Sequence, residues 1–305
     1  MIDQLQTWLR QQIGSEVSIV TLRRIATGHS RAMWFVELDD QQRLVVRVEQ
    51  GGVFGTSTVD EFELMRAAAE LDVPVAPVRW MEPTGDVLGQ PFFAMDFVES
   101  TSAAREDRSL TDEVATDLIR RLHQLHTVDW HGHVHAPDGA TDTHAQVDRW
   151  AAVYRSASPV AVPLLDEAAA WLHQHAPALQ QPAIVHGDPG PGNFLHDGSH
   201  VVAFTDWEFA HLGDAMEDWV YLIAMRGART MSADRWRQQI ADTVRIDITD
   251  WDLRYWSAFN FFKGACANLT CLRAFDGPNP APNMAIIGSA LQQTFLRNMA
   301  QLVGR

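Results

Sequence analysis

The chain has 305 residues, 46% of them hydrophobic, and a formal net charge of -15. That size and apolar content predict one large domain or two lobes with a substantial core, while the charge argues against nucleic acid or an anionic membrane as partner, since both demand clustered Lys and Arg. No apolar run approaches the roughly 20 residues of a membrane span, and the Met1-Ile2-Asp3 start lacks the basic-then-apolar order of a signal peptide, so a soluble cytoplasmic protein is expected.

Residues 17–98 alternate in strand fashion through VSIVTLRRIA, AMWFVEL, RLVVRVE, VPVAPVRWM and PFFAMDFVE. Between the third and fourth runs, Val59, Phe62, Met65 and Ala69 recur at helical spacing behind a Ser57-Thr58-Asp60 start signal. Five strands with one inserted helix predict a small α+β lobe, residues 1–98, ending in the polar connector 98–108. Residues 99–305 predict a larger, mainly helical lobe, with amphipathic patterns beginning near Ser109, Ala145, Val160, Asp214, Ser232, Asp250 and Pro282. A cleft between two unlike lobes is a favoured place for a ligand.

The polar loop 126–144 carries His131, His133 and His135 without nearby Cys or a fixing element, so no metal role is expected there. Cys266 and Cys271, the only cysteines, stand five apart in a helical pattern and read as buried free thiols. Lys263 is the only lysine. A fixed positive charge anywhere else must come from arginine.

The chemistry concentrates in IVHGDPGPGNFLHDGSHVVAFTDWE, residues 184–208. Two short β pieces flank Asp197-Gly198-Ser199, a hairpin turn, which brings Asn193 at the entry of one strand and Asp206 at the exit of the other to the same end. The intervening Pro189-Gly190-Pro191-Gly192 is stiff at its prolines and bare at its glycines, and can return Asp188 to that end. An amide oxygen and a carboxylate together suit Mg2+, which keeps substrate phosphates and water as its other ligands. A second carboxylate held off the metal can accept the proton of an attacking hydroxyl.

His186-Gly187-Asp188, four residues, Asn193, then Asp206-Trp207-Glu208 resembles the HGDxxxxN and DWE signature of the aminoglycoside phosphotransferase-like, or choline-kinase-like, small-molecule kinases. The resemblance implies a bilobal protein-kinase-like fold using ATP and Mg2+, with Asp188 as catalytic base, Asn193 and Asp206 on the metal, and Glu208 assisting a second metal. It places Leu44-Val45-Val46-Arg47 where protein kinases have V-A-I-K, so that Val45 touches adenine and Arg47 the phosphates, paired by Glu61 in preference to Glu63. It also assigns Gly28 and Ser30 of ATGHSRAMW to the phosphate loop, and Met95, Asp96, Phe97 and Val98 to the adenine hinge.

Arginine for lysine at 47 departs from protein kinases, though its fork suits phosphate oxygens. Gly190 departs further: many protein kinases carry a basic residue two positions after the base, and here the loop supplies no second cation. His186 reads as a packed scaffold residue, and Asp214 and Asp218 as scaffolding at a helix start. The aromatic residues of 148–154 and 250–262 read mostly as core.

The acceptor expected is a small-molecule hydroxyl. Residues 253–275 hold no Asp or Glu, which argues against polycationic aminoglycosides, and the stretches before VHGD resemble kinase-like domains fused to acyl-CoA dehydrogenases, whose acceptors include hydroxylated acyl thioesters. Two alternatives stand beside the kinase: a nucleotide-binding sensor that transfers nothing, and a metal phosphohydrolase, which needs more His or Asp ligands than this stretch supplies. Oligomeric state is not legible.

Overall fold

The computed structural model describes residues 1–25, 31–50, 53–100, 102–103, 110–136, 139, 141–277 and 282–304. Helix α1 (Ile2–Ile13), which the sequence reading did not assign, precedes β1 (Ile19–Ile25), β2 (Arg31–Leu38), β3 (Arg43–Glu49), helix α2 (Thr58–Glu70), β4 (Val78–Glu82) and β5 (Phe92–Asp96). The strands form one antiparallel sheet in the order β1-β2-β3-β5-β4. Leu5, Trp8 and Leu9 of α1, at i, i+3 and i+4, pack on one face of this sheet with Leu44, Val46, Phe92 and Ala94. Alternation sends Val45, Phe93 and Met95 to the opposite face and into the main core. Arg47 follows Val45 onto that second face.

α2 begins where the Ser57 side chain accepts the Asp60 N–H, as its start signal predicts. It covers the inner face of the sheet, with Phe62 against the edge of Phe93 at 5.7 Å between ring centres. The rest of the chain is mainly helical: β6 (Ser102–Ala103), α3 (Asp112–Thr127), α4 (Thr143–Ala157), α5 (Pro163–His175), β7 (Ala183–Val185), β8 (Phe194–His196), β9 (Val201–Phe204), β10 (His211–Gly213), α6 (Met216–Tyr221), α7 (Ala233–Val244), α8 (Asp250–Phe275), α9 (Pro282–Ile286) and α10 (Gln292–Val303). Where one pattern continues to Gly227, α6 passes into a π turn at Leu222–Arg226, and a second π turn, Ile287–Leu291, separates α9 from α10. π turns inside helices gather at functional sites.

β8 pairs with β9 as the predicted hairpin, and β6 extends it. The Phe204 N–H donates to the Pro74 carbonyl at 2.8 Å, joining this hairpin to the strand-rich lobe. α8 runs the depth of the helical lobe behind a capping box of Thr249 and Asp252. Its aromatic residues Tyr255, Trp256, Phe259 and Phe262 are buried core, as are Trp150 and Tyr154 of α4. Cys266 and Cys271 are free and buried, and burial pushes both thiols up, Cys271 to about 12. Among the described residues no helix is long and apolar enough to cross a membrane.

Candidate active site

Buried strand β7 leads into the loop 186–193, whose backbone is clamped from below. The N–H groups of His186 and Gly187 donate to the two oxygens of Asp218, each at 2.8 Å. Lys263, from the middle of α8, donates to the Gly187 carbonyl at 2.6 Å and to Glu217 at 2.6 Å. At Gly187, φ is +80° and an added Cβ would lie 2.4 Å from the Phe209 carbonyl oxygen, so only glycine fits. His186 donates from Nε2 to the Thr205 carbonyl at 3.0 Å and accepts the Asp188 N–H at Nδ1, 3.4 Å away. Burial lowers its pKa and keeps the imidazole neutral, which preserves both contacts. His186 and Asp218 are thus scaffolding, and Asp214 accepts the Met216 N–H at the start of α6.

This clamp sets the acidic groups. The amide nitrogen of Asn193 donates to the Asp188 carbonyl at 2.9 Å and to Asp188 Oδ2 at 2.7 Å, leaving its own oxygen as a ligand atom. The Thr205 N–H donates to the Asn193 carbonyl at 2.9 Å, which places Asp206 beside it. Asp206 has φ +65°, an uncommon left-handed conformation for aspartate that turns the chain sharply after β9. Asn193 and Asp206 line the same cavity.

Arg47 answers from β3. Its guanidinium donates to Asp206 at 2.9 Å and its Nε lies 2.7 Å from Glu61. Glu61 also has Arg31 at 3.6 Å, and the side chains of Arg31, Arg47 and Glu61 are at most 4% exposed. Burial works against the charge on Arg47, but Glu61, Asp206 and Glu208 together hold its pKa up; burial likewise opposes the charge on Asp206, which Arg47 holds low. The Arg47–Glu61 pair is close in distance but poorly aligned, and both Glu61 oxygens lack an aligned donor. Glu63 sits on the open face of α2 with Arg66.

Between the lobes lies a cavity of about 360 Å³. Val45, Met95, Ala76, Phe194 and Phe204 wall its apolar part, and Arg47, Glu61, Asn193 and Asp206 its polar end. Asp96, Phe97 and Val98 run along the rim. Their backbone is partly committed: the Asp96 N–H donates to the Pro77 carbonyl and the Phe97 N–H to the Arg43 carbonyl. Among the described residues the Val98 N–H has no backbone acceptor. The donor set also fits a hard cation, with one amide oxygen and one carboxylate at a phosphate-sized space.

Gly28 and Ser30 lie outside the described residues. Glu208 is buried on a short 3-10 turn, Trp207–Phe209, and does not line the cavity; its charge acts on Arg47 and Cys271.

The loop itself carries no Lys or Arg. The site does have a second cation, supplied from outside the loop: Arg226, at the end of the π turn, forks onto both oxygens of Asp188, with Nε to Oδ1 at 2.6 Å and Nη2 to Oδ2. Nothing in its sequence neighbourhood marks it. Lys263 carried a signal, being the only lysine, yet its partners lie 46 and 76 positions away. Tyr221, which hydrogen-bonds Asp188 and is pushed up by burial, was also missed.

A model of the phosphotransferase enzyme family matches residues 21–261, which span both lobes and every residue lining this cavity. The chain belongs to that family. Acyl-CoA dehydrogenase family member 10 of Mus musculus is 27% identical over 232 residues, covering 72% of this chain but only 22% of that protein. A protein of Ralstonia eutropha JMP134, provisionally named an aminoglycoside phosphotransferase, superposes with a TM-score of 0.71 at 23% identity, covering 99% of this chain and 98% of its own. Aminoglycoside phosphotransferase APH(4)-Ia, solved with ADP and hygromycin B, gives a TM-score of 0.65 at 12% identity, with 97% and 99% covered. The bilobal, kinase-like fold of the phosphotransferase family is therefore that of this chain, and the family's reaction class is small-molecule phosphoryl transfer.

Proposed function

We propose that this phosphotransferase is an ATP- and Mg2+-dependent O-kinase in which Asp188 is the catalytic base. The observation that carries the reading is that Asn193 and Asp206 line one end of an apolar cavity, with Asp188 bonded to Asn193 and buried Arg47 bonded to Asp206. Adenine occupies the apolar part between Val45 and Phe204, with Met95 at its back and the Val98 N–H at its edge. Arg47, paired in charge with Glu61, meets the phosphates. Asn193 Oδ1 and Asp206 would hold Mg2+, which supplies charge neutralisation at the phosphates. The crystallised relative with ADP supports the nucleotide.

In the reaction the acceptor hydroxyl oxygen bonds to the γ-phosphorus and the bond from that phosphorus to the β–γ bridging oxygen breaks. ADP leaves with that electron pair, and the hydroxyl proton goes to Asp188. Orientation does most of the work, because the clamp of Asp218 and Lys263 fixes the backbone on both sides of the base.

For the acceptor we favour a hydroxylated acyl compound. The match to an acyl-CoA dehydrogenase family member supports it, as does α8, whose buried polar residues facing the lobe interior are Ser257, Asn260, Lys263, Asn268 and Thr270 and include no acid. The test is transfer of label from γ-labelled ATP, with Mg2+ and with chelator, across hydroxyacyl thioesters, amino alcohols, sugars and aminoglycosides. Label on a hydroxyacyl thioester only with Mg2+ is expected; label on aminoglycosides alone would overturn the acceptor assignment. One observation favours the sensor reading, namely that both oxygens of Asp188 are already taken. Nucleotide binding without labelling of any acceptor would select it.

A further inference from the structure

Three features of the base half of the cleft have one explanation. Gly190 leaves the catalytic loop without a cation. The same glycine is required sterically by Arg226: its φ is +128°, and an added Cβ would lie 2.9 Å from Arg226 Cβ and 3.2 Å from Leu222 Cδ1. The bare position is thus the passage through which the arginine stem reaches the site. Lastly, the helix bearing Arg226 opens into a π turn over its last five residues, Leu222–Arg226, and the guanidinium at that end meets Asp188.

The guanidinium stands where charge will change. It forks onto both oxygens of Asp188, whose Oδ2 also accepts from Asn193. It therefore lies against the carboxylate that would receive the hydroxyl proton. In the arrangement seen, Arg226 and Asn193 take three of the roughly four acceptor sites of the Asp188 carboxylate. An acceptor hydroxyl thus competes with Arg226 for the base, and departure of Arg226 would clear the edge it covers. Its side chain is 33% exposed, against 4% for Arg47, and Asp188 is its one ion-pair partner among the described residues. Arg47, in contrast, is spent on Glu61 and Asp206, and Lys263 on Glu217.

We infer that Arg226 is a catalytic cation that exchanges Asp188 for the oxygens of the transferring phosphoryl group, replacing the charge the loop lacks at Gly190 and freeing the base in the same movement. The inference rests on the kinase reading above. A fork of five N–H donors is suited to such an exchange, since carboxylate and phosphoryl oxygens present it with similar spacing.

The test uses the full chain and needs no acceptor. Calorimetry compares MgADP with MgADP plus aluminium fluoride, a mimic of the transferring group. Wild type is expected to bind the fluoride complex about 100-fold or more tighter than MgADP. Arg226→Met is expected to keep MgADP affinity within about threefold, which also reports its fold, and to lose most of the increment, on the order of 30-fold or more. Arg226→Lys, a point charge without the fork, should fall between, and it serves if the methionine variant does not fold. An increment unchanged or enlarged in both variants would overturn the inference while leaving the kinase reading intact. Wild type that binds MgADP with no increment would overturn both, and wild type that does not bind MgADP would overturn the nucleotide assignment itself.

Discussion

Arg47 and Arg226 each meet an aspartate in the same cleft, yet the two halves they define are built differently. Arg47 arrives on a central strand, is 4% exposed, and is shared between Glu61 and Asp206, with Arg31 as a second buried neighbour of Glu61. Arg226 arrives at the end of a helix, is 33% exposed, and has its ion pair with Asp188. Burial with several partners fixes a charge in place, whereas a half-open single pair can be exchanged for a ligand. The Arg47 half is therefore the fixed jaw of the site, and the Asp188 half has a fixed floor with a replaceable cover.

The largest effects should come from breaking what is fixed. Glu61→Ala leaves two buried arginines short of a carboxylate and should cost about 3–5 kcal/mol in chemical denaturation; Lys263→Met strands Glu217 beside His211 and should cost a similar amount. A loss under about 1 kcal/mol in either variant would show that half to be slack. Gly190→Ala probes the cover: left-handed strain plus contact with the Arg226 stem should cost about 1–3 kcal/mol and slow transfer. Equal transfer rates in Gly190→Ala and wild type would remove the reason for that glycine.

pH separates the halves more gently. Burial depresses the pKa of His186 below 6.5, so the unfolded chain binds a proton that the native imidazole refuses, and stability falls as pH drops through the window below 6.5. The slope is at most about 1.4 kcal/mol per pH unit for this one proton. His123, also lowered by burial, adds to it with the same sign. His186→Gln should flatten the slope measured by denaturation between pH 6.5 and 5. A further loss is expected below pH about 4, where Asp206, Glu217 and Asp218, all held low in the native state, take up protons. The smallest effect belongs to Glu63→Ala, which removes an exposed i,i+3 pair with Arg66 and should change stability by about 0.5 kcal/mol or less.

The same contrast explains what could be read from the chain before its fold. Val45 and Arg47 share a face because strands alternate, and Asn193 and Asp206 meet because a hairpin turn separates them; both rest on local periodicity. The choice of Glu61 over Glu63 came from the resemblance, which puts the acid just before an aromatic residue, here Phe62. Arg226 and Lys263 depend on how α6 and α8 pack under the loop, 38 and 76 positions from their partners. No spacing rule spans such distances. The π turn at Leu222–Arg226 continues a helical pattern with nothing in the sequence to mark the change, and it is the feature that aims Arg226. Helix α1 was legible at i, i+3 and i+4 through Leu5, Trp8 and Leu9, but it went unassigned.

The most direct test is transfer of labelled phosphate from ATP to a hydroxylated acceptor by wild type and Asp188→Asn, with nucleotide affinity measured on both. Labelled product from wild type is predicted, with transfer by Asp188→Asn reduced by about 10²–10⁴-fold at similar nucleotide affinity. Equal labelling by the two proteins would contradict Asp188 as the base.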